Sequence, residues 1–176
     1  MIEYYINSDS LKEYCSILNA GDKVYLSGTV YTSRDAAHKR IFEYIENKKQ
    51  LPYPIKDSII YYAGPTETPE NLPIGSCGPT TSKRMDSYAP TLYDMGLVAT
   101  IGKGERSREV IDSIVRNNGI YLCAIGGAGA LAALSIKSCE VIAFDDLGCE
   151  SIKKLEFDKF PLIVGIDSKG SNIFER

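Results

Sequence analysis

The chain has 176 residues, of which 44% are hydrophobic and 24% charged, enough for a folded domain with a substantial core. One domain spanning 1–176 is the expectation. A net charge of −3 excludes a general affinity for nucleic acid or an anionic membrane, so any bound anion must meet a local cluster of positive side chains.

In chain order, a short strand is predicted over Ile2–Ile6 and a helix over Leu11–Leu18. Lys23–Tyr31 alternates in part and is rich in β-formers, so it reads as a strand. Ser33 is expected to cap a helix running to about Asn47, with Ile41, Phe42 and Ile45 on one face. Pro52 and Pro54 break the chain before a short strand at Ser58–Tyr62. The segment Ala63–Pro79 carries four prolines and three glycines and reads as a long irregular loop of the functional kind.

Thr81–Asp94 has helical character with an interruption at Pro90. Leu97–Ile101 is a predicted strand, and Ser107–Asn117 an amphipathic helix with Val110, Ile111, Ile114 and Val115 inward. Asn117–Ile136 is an uncharged stretch near the length of a membrane span, but its four glycines favour a strand, Ile120–Ile125, a turn and a small-residue helix, Ala128–Leu134. Three strands follow, Val141–Phe144, Ile152–Phe157 and Leu162–Ile166, with a turn at Asp167–Gly170. Strands and helices alternate in the middle and strands cluster at the end. That indicates α/β with a mixed, partly parallel central sheet.

Three segments that leave strands in the same sense carry candidate chemistry. Gly75-Ser76-Cys77-Gly78-Pro79 precedes Thr80-Thr81-Ser82-Lys83-Arg84, where hydroxyls and free N–H groups at a helix start attract anions. Arg84 lies one turn after Thr80; the plainer reading is a cap followed by solvated cations. Arg34 falls in the first turn of a helix, where a cation opposes the helix dipole, with Asp35 as a simple neutraliser. His38, one turn further, reads as a surface or half-buried helix histidine. Lys103 stands between two glycines at the end of a strand, where α/β proteins bind ligands. Together Arg34, Arg84 and Lys103 suit a small dicarboxylate, because a guanidinium grips a carboxylate through two parallel hydrogen bonds. Gly127-Ala128-Gly129 before a helix, with Asp145 and Asp146 at the end of the next strand, also fits a loose dinucleotide fingerprint. An NAD- or anion-binding α/β module is therefore the alternative from another class.

The five cysteines, Cys15, Cys77, Cys123, Cys139 and Cys149, include no Cys-x-x-Cys pair. They do not read as a zinc site, an iron–sulphur ligand set or a disulfide framework, and reduced thiols in a cytoplasm are the expectation. Glu3 and Asn7 interrupt the start, so no signal peptide is expected.

The pieces Ser-Gly-Thr-Val-Tyr-Thr-Ser-Arg-Asp-Ala-Ala-His-Lys-Arg, Gly-Pro-Thr-Thr-Ser-Lys-Arg-Met-Asp, Ile-Gly-Lys-Gly and Phe-Pro-Leu-Ile-Val-Gly-Ile-Asp-Ser-Lys-Gly occur in this order across nearly the whole chain. In them the sequence resembles the class-I iron–sulphur fumarases, either their C-terminal domain or the separate β subunit of fumarase and L(+)-tartrate dehydratase. Cys77 and the pair Ser82–Lys83 depart from the family's usual small residues. The resemblance implies a swivelling β/β/α domain. It also implies a 4Fe–4S cluster carried by a partner α subunit, whose iron acts as Lewis acid on the substrate. The implied activity is hydro-lyase, reversible hydration of fumarate to L-malate, or dehydration of L(+)-tartrate to oxaloacetate. Arg34, Arg84 and Lys103 would bind substrate carboxylates and Thr80 would be the base, in a cytoplasmic homo-oligomer or heterotetramer. The resemblance assigns the glycine-rich 126–129 run to family architecture.

Overall fold

The computed structural model describes residues 1–125 and 128–175. In chain order it contains β1 (Glu3–Asn7), α1 (Leu11–Tyr14), β2 (Lys23–Thr32), α2 (Asp35–Glu46), β3 (Ile59–Tyr61), α3 (Ala89–Asp94), β4 (Ala99–Gly102), α4 (Arg108–Arg116), β5 (Ile120–Cys123), α5 (Gly129–Leu134), β6 (Ile136–Ala143) and β7 (Ile152–Ile166). Short 3-10 turns cover Ser8–Ser10, Ser82–Met85 and Asp145–Glu150. No helix among the described residues is long and apolar enough to cross a membrane.

The sheet order is β1-β2-β3-β4-β5-β7-β6, and β2 also pairs with β7. That extra pairing closes β2, β3, β4, β5 and β7 into a barrel-like ring, with β1 and β6 outside it. From β1 to β5 the pairs are parallel, while β7 runs antiparallel to β2, β5 and β6. The expected mixed, partly parallel α/β sheet is therefore present, and the ring closure is an addition to it.

Strand residues alternate between two cores, as the two-residue period of a strand requires. On β3, Ile59 and Tyr61 enter the core inside the ring, and Ile60 enters the core beneath α2, α3 and α4. The same alternation fails along β7 for a local reason. Leu155, Phe157, Phe160, Leu162 and Val164 all enter the inner core, although the parity changes between Phe157 and Phe160. Phe157 pairs with Gly28 and Phe160 with Leu26, so β7 carries one more residue than β2 across this bulge, with Lys159 at φ 50°. The bulge turns both rings inward, where they stack at 4.2 Å against the edge of Tyr61.

Several boundaries differ from those expected. Ile152–Phe157 and Leu162–Ile166 are one fifteen-residue strand, not two. β6 begins at Ile136, well before Val141, because pairing with β7 holds its polar first half. Ser33 does not cap α2. Arg34 is the cap residue, and the Ser33 hydroxyl lies 2.9 Å from His38 Nδ1. Pro90 does not interrupt a helix but sits in the first turn of α3, where a missing N–H costs nothing. α1 covers a single turn, Leu11–Tyr14, and not the expected Leu11–Leu18, although Leu11 and Leu18 are both buried. Val115 is exposed, on the outer side of α4. Gly126 and Gly127, part of the dinucleotide-like run, lie outside the described residues.

Phe157→Ala is expected to cost about 3–5 kcal/mol, read as a lowered urea midpoint, because a stacked, fully buried ring leaves a cavity that the ring of strands closes poorly.

Candidate active site

The site is built at the C-terminal ends of β2, β3 and β4. After β2 the chain stays in register, with Ser33 N donating to Tyr61 O at 3.1 Å. After β3, Tyr62 N donates to Ile101 O at 2.8 Å. The long 63–79 excursion then returns to where it left, bridged at Ala63 and Pro79 and tied internally by Thr66 and Ser76. Tyr61 Oη donates to Cys77 O at 2.6 Å, and Cys77 N donates to Gly129 O at 3.0 Å. A Cβ on Gly129 would lie 2.9 Å from Gly78 N, so the start of α5 must be glycine to let this loop close.

The returning chain adds a rung between β3 and β4. Thr80 N donates to Tyr62 O at 2.8 Å, Thr81 bridges Lys103 in parallel, and Ser82 N donates to Lys103 O at 3.0 Å. Ser82 is buried, its hydroxyl 2.8 Å from Tyr121 Oη and packed where a Cβ on Gly102 would stand. Its hydroxyl thus serves structure and does not face a ligand. Arg84 follows on the 3-10 turn, and its Nε donates to Asp35 Oδ1 at 3.0 Å.

Arg34 approaches from the other side. Its Nη2 is 3.9 Å from Asp35 Oδ2 and its Nε is 4.0 Å from Glu150 Oε1. That Nε is buried and makes no hydrogen bond. The structure therefore brings Arg34 and Arg84 to one carboxylate, Asp35. It brings Lys103 and Thr80 to the same strand edge through their main chains.

Other groups here were not singled out in the sequence. Arg106 is buried: Nε donates to Asp86 Oδ1 at 2.7 Å, Nη1 to Thr100 Oγ1 at 2.9 Å and Nη2 to Tyr62 Oη at 3.2 Å. Asp86 Oδ2 accepts from Ser107 N at the start of α4. Glu150 comes from a distant turn, which the bidentate Arg40–Asp146 pair at 2.7 and 2.8 Å fastens to α2. Lys153, buried and lowered in pKa by desolvation, donates to Gly148 O, Cys149 O and Ser151 O and so shapes that turn. Only Arg106 had a local signal, being the arginine that follows Gly102-Lys103-Gly104-Glu105. The other two become relevant through tertiary contacts alone.

His38 is not a surface residue. It is 1% exposed, with Nδ1 2.8 Å from Arg34 O, to which the ring N–H donates. Its place is under the Arg34 backbone, between the rings of Tyr62 and Tyr88.

The described thiols do not gather as an iron–sulphur ligand set. Burial pushes Cys15 and Cys77 up to about 12 and Cys123 up to about 11, holding them protonated. Among the described residues no three His, Cys, Asp or Glu side chains gather as metal ligands.

Fold and edge together define an α/β protein whose cation-bearing loops lie at the carboxyl ends of parallel strands. The chain belongs to the family described as the fumarase C-terminus, whose model matches residues 2–176. It is 44% identical over 156 residues to the anaerobic class I fumarate hydratase of Escherichia coli K12, covering 88% of this chain and 28% of that protein. It is 41% identical over 170 residues to fumarate hydratase 2 of Leishmania major, covering 96% and 30%. It is 38% identical over 180 residues to the putative L(+)-tartrate dehydratase subunit beta of Methanocaldococcus jannaschii, covering 99% and 92%. The chain thus spans less than a third of the two fumarate hydratases and nearly all of the tartrate dehydratase subunit.

Desolvation lowers His38 from 6.5 to about 4. Between those values the unfolded chain binds a proton that the folded chain refuses. The stability from the neutral ring is therefore complete above pH 6.5 and is lost as pH falls toward 4, by about 3 kcal/mol in all. The chain has one histidine, so its NMR signals are unambiguous. They should remain those of neutral imidazole at pH 5.5, while the urea midpoint falls between pH 7 and 4.5. Titration near 6.5 would show a solvated ring.

Proposed function

We infer that this chain is the diacid-binding β component of a two-component hydro-lyase that interconverts fumarate and L-malate. The observation that carries the reading is the meeting of Arg34 and Arg84 at Asp35, on the strand edge that also holds Thr80 and Lys103. In this reading the Arg34 and Arg84 guanidinium groups grip the carboxylates of the diacid, and the Lys103 ammonium adds a third positive charge. Each guanidinium fork orients as well as attracts, which places the reacting carbons.

Thr80 stands in the reading at the carbon-bound proton, which it removes in dehydration and returns in hydration. An alcohol is a very weak base, so its activation falls to an acid or a histidine of the partner chain. The 4Fe–4S cluster would be held by the α subunit, which agrees with the lack of a gathered ligand set among the described residues here, and it would supply a Lewis acid to the substrate. The chain would act as one domain of the swivelling β/β/α type, closing over that subunit in a cytoplasmic homo-oligomer or heterotetramer. A second reading, dehydration of L(+)-tartrate to oxaloacetate, is supported by the match to 92% of the tartrate dehydratase subunit's length.

The test is co-expression with an iron–sulphur α subunit and anaerobic assay on L-malate and on L-tartrate. Turnover of neither by a loaded, assembled complex would overturn both readings. In the assembled complex Arg84→Ala is expected to lower turnover by at least about a hundredfold, because a charged grip is lost and the substrate is misplaced. Near-normal turnover would remove Arg84 from the site.

A further inference from the structure

The two arginines are held very differently. Arg34 is wedged against Gly64, where an added Cβ would stand 3.1 Å from its Cδ and Nη1, and its far side faces Glu150. Its side chain is 23% exposed. Arg84 rides on a single 3-10 turn with its side chain 53% exposed. Among the described residues Asp35 is its ion-pair partner, and no second one is found. One carboxylate therefore serves both arginines. Oδ1 accepts from Arg84 Nε at 3.0 Å, and Oδ2 faces Arg34 Nη2 at 3.9 Å, buried and with no hydrogen bond of its own.

An arginine on a long, exposed stem samples many positions. Two guanidinium groups can hold both ends of one diacid only when their separation is fixed. Asp35 itself is fixed, because it occupies the first position of α2, where a carboxylate is favoured by the helix dipole. Arg34 and Asp35 are adjacent in sequence and share that helix start, so the element that anchors one arginine also anchors the acid that restrains the other.

We propose that Asp35 is a positioning residue that tethers the exposed Arg84 to the wedged Arg34 and so sets the length of diacid that the pair accepts. The inference rests on the diacid-binding reading above. Its rival is that Asp35 is a plain counter-ion occupying the arginines until substrate arrives. The two roles have opposite signs. Loss of a tether weakens binding of a diacid of the right length and spares a longer one. Loss of a competing counter-ion strengthens binding of every diacid.

The experiment is titration calorimetry of the assembled complex with succinate and with glutarate, which needs no turnover. For the wild type, succinate is expected to bind more tightly than glutarate. In Asp35→Asn the succinate Kd is expected to rise about fivefold, the scale of a half-exposed ion pair, while the glutarate Kd changes less than twofold. Asp35→Glu keeps the charge at the helix start, and with it the fold, but lengthens the tether. It is expected to shift the succinate-to-glutarate ratio toward glutarate as well, whereas a role in charge or stability alone leaves that variant like the wild type. Equal weakening of both diacids in Asp35→Asn, tighter binding of both, or a wild-type ratio in Asp35→Glu would overturn the tether and leave the function standing. A loaded wild-type complex that binds neither diacid would overturn the function, and the tether with it.

Discussion

The site depends on two main-chain hydrogen bonds, Thr80 N to Tyr62 O and Ser82 N to Lys103 O. They turn the end of a long irregular excursion into a rung of the sheet. Side chains on a rung alternate between the two faces. Ser82 consequently points into the core, where Tyr121 and Gly102 receive it, and Thr81 is exposed. With Ser82 fixed, the direction in which the next turn carries Arg84 is fixed too. No side-chain contact of Thr80, Arg84 or Lys103 is needed to bring their main chains together, because the backbone has already done so.

A buried charge secures that rung from below. Arg106 places three of its nitrogens on Asp86, Thr100 and Tyr62, and its guanidinium lies 5.3 Å from the ring of Tyr62 and 4.8 Å from that of Tyr121. Burying an ion pair costs desolvation that its Coulomb energy barely offsets, so its energy is a weak reason for its presence. Its geometry is a stronger one. Asp86 follows the Ser82–Met85 turn and Arg106 follows the Lys103 loop, so the pair ties the segment bearing Arg84 to the segment bearing Lys103. Losing either partner would strand a charge in the core, which makes this relation between the loops hard to change.

Elements with a clean period were legible in the sequence. β2, the helix at Arg108–Arg116 and the short strands at Ile59–Tyr61 and Ala99–Gly102 lie within a few residues of expectation. Where the period breaks, reading failed. The single strand Ile152–Ile166 looked like two because its bulge reverses the parity between Phe157 and Phe160, and nothing local distinguishes an extra residue from a turn. β6 was half hidden because its first residues are polar and are held in a strand by β7 alone. At the candidate site, Arg34, Arg84, Thr80 and Lys103 stood out as rule-breaking or loop-borne polar residues, and the fold brings their segments to one strand edge. Glu150 and Lys153 were not, since their relevance comes from a turn that packs on α2 across a large separation in sequence.

The balance of charge at this edge bears on what the chain can and cannot supply in the proposed reaction. Arg34 is set against Asp35 and Glu150, and Arg84 against Asp35, with the main chain of Lys103 on the same strand edge. In the proposed reading a dianion meets two arginines that the fold already pairs with Asp35, so it gains attraction without ordering both of them itself. The nearby polar groups give little help with proton transfer. His38 is neutral and spent on the Arg34 carbonyl, and Tyr121 and Tyr61 are pushed above their ordinary values by burial. Cys77 is held as a thiol. None of these four side chains is poised to exchange a proton near neutrality. In the reading proposed here, the activation of Thr80 therefore falls to a group other than these four, as an acid or a histidine of the partner chain would supply.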